Sequence, residues 1–148
     1  MNESGMEAKD ICRGTARALA RLGYASLAEV PLANGRRADL LAVGRDGLLL
    51  IVEVKSSLAD FRSDRKWGEY RDFCDRLAFA VAANFPRALI PEECGLIVAD
   101  PFDAMMVREG ALAPLAPARR KALTLRFGRL AAARLLRMSD PAALDPEG

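Results

Sequence analysis

Three short extended segments joined by tight turns constrain the fold more than any other feature of the chain. Asn34-Gly35 is a strong two-residue hairpin signal, and a second turn is expected at Gly44–Gly47. The strands that these turns separate are expected at Ser26–Leu32, Arg36–Val43 and Leu48–Val54. The third strand is apolar almost throughout, which indicates that both of its faces are covered. The chain therefore needs other elements on both sides of its sheet.

Helices are predicted before and after this three-strand meander. Apolar residues recur at helical spacing from about Ser4 to Leu22, and Ser4 and Glu7 have the spacing of a capping box. Further helices are expected from Leu58 to about Asp75 and from about Ala118 to Arg137. The remaining strands are expected at Leu77–Ala82, Cys94–Ala99 and Ala104–Arg108. This order indicates one α/β domain with a mixed sheet.

The domain organisation is expected to be simple. The chain has 148 residues, the normal size of one domain, and no internal repeat or linker divides it. We expect a single domain over residues 4–138 and a flexible tail at 139–148. No signal peptide is visible, and no apolar stretch reaches the ~20 residues of a membrane span. Cys12, Cys74 and Cys94 form no C-x-x-C pair, so reduced thiols in a cytoplasmic protein are expected.

The sequence contains no histidine, and this excludes several classes of functional site. Hydrolases of the Ser-His-Asp and Cys-His types are ruled out, as is zinc bound by histidine. Neither G-x-x-x-x-G-K-[ST] nor G-x-G-x-x-G occurs, so these nucleotide-binding loops are missing from the sequence. A metal ion would be held by carboxylates and carbonyls, which favour magnesium, calcium or manganese.

Two acids and a lysine fall on the second and third expected strands. Asp39 lies within the second strand, while Glu53 and Lys55 close the third and share one of its faces. The turn between these strands makes them antiparallel neighbours, which can bring Asp39 beside Glu53. Adjacent buried carboxylates repel each other and lose hydration unless a divalent cation lies between them. Lys55 would then orient or help to deprotonate an attacking water. The plainer alternatives are a solvated strand end and an ion pair of Asp39 with Arg36 or Arg37.

The last expected helix is strongly basic, although the net charge of the chain is only +2. Between Arg119 and Met138 there is no acidic residue, and such a segment can follow a phosphate backbone. The alternative is a solvated helix face. The basic residues of this segment are Arg119, Arg120, Lys121, Arg126, Arg129, Arg134 and Arg137.

The two acids and the lysine on the second and third expected strands resemble the motif of the PD-(D/E)XK nuclease superfamily. The shared core of that superfamily is a helix, three strands, a helix and a strand. In that superfamily a metal-binding aspartate lies on the second strand and (D/E)-x-K on the third, as do Asp39 and Glu53-Val54-Lys55 here. More narrowly, the chain resembles the MmcB family, whose members are assigned as DNA-repair endonucleases. The narrower likeness is carried by Arg36-Arg37-Ala38-Asp39-Leu40, Val52-Glu53-Val54-Lys55-Ser56-Ser57, Asp60-Phe61, Asp64-Arg65-Lys66-Trp67, Tyr70 and Phe73-Cys74-Asp75.

The resemblance covers about Ala8 to Met138 and implies a restriction-endonuclease-like core with an added basic carboxy-terminal helix. It implies a Mg²⁺-dependent DNA endonuclease that acts in DNA repair, with Mn²⁺ as a second candidate metal. Asp39 and Glu53 would hold the metal, Lys55 would complete the catalytic set, and Glu7 would supply a further acid from the first helix. The alternative role of Glu7 is the capping box. Nucleases of this superfamily are often dimers, so a homodimer is one expected state.

The resemblance also implies DNA contacts on the helix after the E-x-K motif. Lys66 and Tyr70 have the spacing of the Q-x-x-x-Y motif of some superfamily members, with lysine in place of glutamine. Trp67 and Tyr70 would stack on bases, or else pack within the core, while Arg62 and Arg65 would meet DNA or lie on a solvated face. Two other functions stay open: a non-catalytic nucleic-acid-binding repair protein that keeps the nuclease fold, and a nuclease that acts on RNA.

Overall fold

A computed structural model describes residues 6–63 and 67–143 of the chain. It forms two compact units, Met1–Leu115 and Ala116–Gly148. The helices and strands are α1 (Ala8–Arg21), β1 (Ala25–Pro31), β2 (Arg37–Val43), β3 (Leu49–Lys55), α2 (Leu58–Ser63), β4 (Arg76–Val81), β5 (Gly95–Ala99), β6 (Ala104–Arg108) and α3 (Pro117–Ser139). Short 3₁₀ helices lie at Trp67–Phe73, Arg87–Leu89 and Pro141–Ala143.

The strands form one six-stranded sheet in the order β1-β2-β3-β4-β5-β6. The pairs β1–β2, β2–β3 and β5–β6 are antiparallel, while β3–β4 and β4–β5 are parallel. The α/β fold with a mixed sheet is therefore confirmed. Every residue of β3 is buried, as its apolar sequence predicts for a strand that is covered on both faces.

The two faces of the sheet are covered by different elements. On one face, Ile11 and Leu19 of α1 belong to a buried cluster with Leu40, Val52 and Ile97. Gly14 lets α1 come close to the β5–β6 turn, because a Cβ atom there would lie 1.7 Å from the Asp100 carbonyl oxygen. The opposite face carries Phe79. The rings of Phe61 and Trp67 pack edge-on against it, with their centres 5.5 and 5.8 Å from the centre of the Phe79 ring.

Two helix predictions need correction. The first helix begins at Ala8, not near Ser4, and Glu7 is its N-cap residue. Ser4 lies outside the described residues, and Glu7 forms its capping box with Asp10. The helix expected over Leu58–Asp75 ends at Ser63, and residues 67–73 form a 3₁₀ helix.

The reason for the 3₁₀ helix is a spacing of three between its aromatic residues. Trp67, Tyr70 and Phe73 lie at i, i+3 and i+6, and side chains three apart are aligned on one side of a 3₁₀ helix. Tyr70 and Phe73 are buried there, against the sheet. An α-helix would rotate these three positions progressively away from one another.

The second unit consists of α3 and the short 3₁₀ helix after it. The basic carboxy-terminal helix is confirmed and runs slightly longer than expected, to Ser139. The expected tail, residues 139–148, therefore begins with helical residues. Residues 144–148 lie outside the described residues. Among the helices at residues 6–63 and 67–143, none is both long and apolar enough to cross a membrane.

Candidate active site

Asp39 and Glu53 are held together where the ladder between β2 and β3 ends. The last paired residues are Leu40 and Val52, and each acid is one position beyond that pair. The Asp39 N–H donates to Glu53 Oε2 at 2.9 Å, and the Val54 N–H donates to Asp39 Oδ2 at 2.8 Å. Each carboxylate therefore accepts a backbone N–H of the opposite strand, which fixes its orientation. The structure brings these two predicted residues together.

Lys55 lies two residues beyond Glu53 and shares its face of β3. Both side chains are almost fully buried, with 3% of Glu53 and 7% of Lys55 exposed. Glu53, Lys55 and the half-buried Asp39 line one cavity of about 920 Å³. The three residues that the sequence singles out for chemistry therefore meet in one concave site.

The environment of Glu53 strongly disfavours its charged form. Burial raises the pKa of its carboxyl from 4.5 to about 8, and the nearby Asp39 charge adds to this rise. The Asp39 N–H, the Tyr70 hydroxyl and the Lys55 charge partly oppose it. At neutral pH, without a bound cation, this environment therefore favours the protonated form of Glu53. A divalent cation beside the pair would favour release of this proton.

Tyr70 forms part of the cavity wall and supports Glu53. Its hydroxyl lies 3.2 Å from the Arg37 carbonyl oxygen and also within hydrogen-bond reach of Glu53. A tyrosine hydroxyl has a single proton, so it donates to one of these oxygens at a time. Either bond fixes the Tyr70 side chain next to the acid pair.

A family model described as DNA repair protein MmcB-like matches residues 2–142. The chain belongs to the MmcB-like family. A solved structure of a protein of unknown function from Silicibacter pomeroyi is 42% identical to this MmcB-like protein, with a TM-score of 0.90. The match covers 94% of this chain and 95% of the other. The search of curated proteins found no match to this chain.

Two residues expected near the site of the MmcB-like protein lie elsewhere. Glu7 caps α1, forms an ion pair with the Lys9 ammonium at 3.4 Å and does not line the cavity. The structure therefore shows its capping role. Arg62 is exposed on α2 and is also absent from the cavity wall.

The predicted DNA contacts around Trp67 have mixed positions. Trp67 packs edge-on against Phe79, and the Arg71 guanidinium lies 5.2 Å from the centre of its ring. It does not line the cavity, so its visible contacts are packing contacts. Arg65 and Lys66 lie outside the described residues, and their expected DNA contacts stay predictions.

Several cavity residues of the MmcB-like protein were given no role in the site on the basis of the sequence. Asp60 lines the cavity and is fixed at the start of α2, where its N–H donates to Ser57 Oγ and its carboxylate accepts the Ser56 N–H. The S-x-x-D spacing was the signal that would have found it. Arg36 also lines the cavity and pairs with Glu69 at 2.7 Å.

The other wall of the cavity comes from α1 and β1. Lys9, Cys12 and Arg13 line it from the helix, and Glu29 lines it from the strand with a left-handed φ of 53°. Burial raises the pKa of the Cys12 thiol, and the charges of Asp39 and Glu29 raise it further. Nothing in the helical pattern of α1 indicates that this side of the helix borders the acid pair.

Within the described residues, a metal ion at this site would have two acidic ligands, Asp39 and Glu53. Over residues 6–63 and 67–143, no group of three or more His, Cys, Asp or Glu side chains is arranged to hold a metal ion. A cation at Asp39 and Glu53 would therefore keep several ligand positions for other oxygens.

Proposed function

We propose that this MmcB-like protein is a Mg²⁺-dependent nuclease that hydrolyses phosphodiester bonds in DNA. The observation that carries the proposal is the fixed pair of Asp39 and Glu53 carboxylates with the buried Lys55 ammonium in the same cavity. Two further facts support it. The order α1-β1-β2-β3-α2-β4 matches the core of the PD-(D/E)XK superfamily, and the family is one of DNA repair proteins.

The residues present fit a magnesium ion. Asp39 and Glu53 offer only oxygen atoms, which Mg²⁺ prefers, and this ion is commonly bound through one or two carboxylates together with water and phosphate oxygens. The raised pKa of Glu53 also fits, because two buried carboxylates cannot both ionise cheaply without a compensating charge. When bound, the ion would supply Lewis-acid activation of the phosphate and of a water molecule.

The side chains of the protein have distinct roles in this proposal. The backbone N–H groups of Asp39 and Val54 hold the two carboxylates in a fixed orientation, so little reorganisation is needed on binding. The Lys55 ammonium stabilises the negative charge that develops on the phosphate and helps to orient the attacking water. Tyr70 keeps Glu53 in place.

A cleavage assay tests this proposal. Purified protein is incubated with single-stranded, nicked and branched DNA, and with RNA of matched sequence, in Mg²⁺ or in EDTA. We expect DNA cleavage in Mg²⁺ only, and a loss of roughly 100-fold or more in Asp39→Asn, because a neutral amide binds the cation poorly. Asp46→Asn is the matched control, since Asp46 lies in the β2–β3 turn and an amide can still accept the Leu48 N–H.

The alternatives predict different results in the same assay. Cleavage of RNA in preference to DNA would identify an RNA-directed nuclease. Binding of DNA without turnover of any substrate would identify an accessory protein that keeps the fold. Cleavage that persists in Asp39→Asn would place the activity at another site or in a contaminant.

A further inference from the structure

The basic residues of α1 fall into two groups along the helix. Arg21 donates to Asp103 at 2.7 Å, and this bond, with smaller help from the Arg17 charge, lowers the pKa of Asp103. Arg21 is therefore oriented towards the β5–β6 turn, and the charge of Arg17 also acts on Asp103 in that turn. Arg13 and Lys9, one and two turns nearer the start of the helix than Arg17, line the cavity that holds Asp39 and Glu53.

Folding does not account for the charges of Lys9 and Arg13. Lys9 pairs with Glu7 at 3.4 Å, but 79% and 62% of these side chains are exposed, and such surface pairs stabilise proteins very little. Arg13 is exposed and has no ion-pair partner within the described parts of the chain. Both cations are thus available at the rim of an acidic site.

We propose that Lys9 and Arg13 bind backbone phosphates of the DNA strand next to the scissile phosphate, so that the strand runs along α1. This inference rests on the proposed nuclease function. The phosphates that flank the scissile one approach Asp39, Glu53, Glu29 and Asp60, all of which line the cavity and repel anions when charged. Cations on α1 offset this repulsion. Residues four apart on a helix are about 6 Å apart along its axis, so Lys9 and Arg13 can bind different phosphates of one strand.

These DNA contacts lie on α1, an element on which the sequence led us to expect none. Arg62 of α2, which the sequence suggested, does not line the cavity, whereas both α1 cations do. Phosphate contacts position a strand without selecting its sequence. The expected consequence of losing either cation is therefore weaker binding of every DNA sequence, with the chemical step left intact.

The test compares Lys9→Ala and Arg13→Ala with Arg17→Ala, which removes the same charge from the same helix one turn beyond Arg13. Binding of a short fluorescent single-stranded oligonucleotide and of its duplex is measured by anisotropy in EDTA over a series of salt concentrations. We expect each of the first two variants to weaken binding roughly fivefold and to lower the salt slope by about one. Arg17→Ala should stay within about twofold of the wild type, and Arg13→Lys should recover most of the affinity.

Cleavage kinetics separate this proposal from the proposed function. If the wild type cleaves DNA, Lys9→Ala and Arg13→Ala should raise KM and leave kcat unchanged. If no variant cleaves but Arg13→Ala still loses binding, the phosphate contact holds and the nuclease proposal fails. Equal effects of Arg13→Ala and Arg17→Ala on binding or KM, or no effect of either, would overturn the contact. A wild type that neither binds nor cleaves DNA would overturn both proposals.

Discussion

Lys55→Met is expected to lower kcat for DNA cleavage by about 10³-fold and to change KM little. Lys55 is buried beside Glu53 at the end of β3, so its charge acts in a site from which most water is excluded. Methionine keeps much of the apolar stem of lysine and removes the ammonium, which limits the effect on packing. The chemical step loses the charge that stabilises its transition state, while the phosphate contacts of the substrate remain.

Single-turnover kinetics with saturating protein measure this effect directly, because they isolate the chemical step from product release. Arg87→Met is the control, since Arg87 is exposed, lies outside the cavity and is not part of the basic helix α3. Circular dichroism and unfolding in urea check that Lys55→Met folds. Wild-type rates in a folded Lys55→Met protein would exclude Lys55 from the chemistry.

Glu53→Gln is expected to stabilise the metal-free protein at high pH by roughly 4 kcal/mol. The pKa of Glu53 is raised by folding from 4.5 to about 8, so the folded state holds a proton more tightly than the unfolded state. Between these two values, the free energy of unfolding of the wild type therefore falls as pH rises. A neutral glutamine carries no such cost, and its carbonyl can still accept the Asp39 N–H.

Urea unfolding in EDTA at about pH 5 and about pH 8.5, outside most of this titration, measures the effect. The advantage of Glu53→Gln over the wild type should appear at the higher pH and vanish at the lower one. Glu92→Gln, at an exposed position, is the control for the substitution itself. Added Mg²⁺ should restore stability to the wild type at high pH and leave Glu53→Gln unchanged. A difference between wild type and Glu53→Gln that is the same at both pH values would contradict the assigned cause.

The strands and the acid pair could be predicted from the sequence because their determinants are local. Apolar runs and turn residues place β2 and β3 within one residue of their observed starts and ends. The period of two on a strand then places Glu53 and Lys55 on the same face, and the short turn fixes which strand lies beside them. No knowledge of the remaining fold is needed for this step.

Other parts of the site depend on packing between distant elements and could not be predicted in this way. Which side of α1 borders the cavity is decided by how the helix lies on the sheet, so Lys9 and Arg13 were missed. For Glu7, capping and metal binding were equally compatible with the sequence, and the structure shows capping. At Trp67–Phe73 an α-helix was expected, although the spacing of three between the aromatic residues fits a 3₁₀ helix better.

A crystal of the protein soaked in Mn²⁺ and measured by anomalous scattering tests the metal site most directly. The account predicts one strong anomalous peak bonded to carboxylate oxygens of both Asp39 and Glu53, at the base of the cavity that Lys55 lines. The same soak of Asp39→Asn should lose that peak. A wild-type crystal in which Mn²⁺ binds only at other surface acids, with the Asp39–Glu53 pair unchanged, would contradict the account.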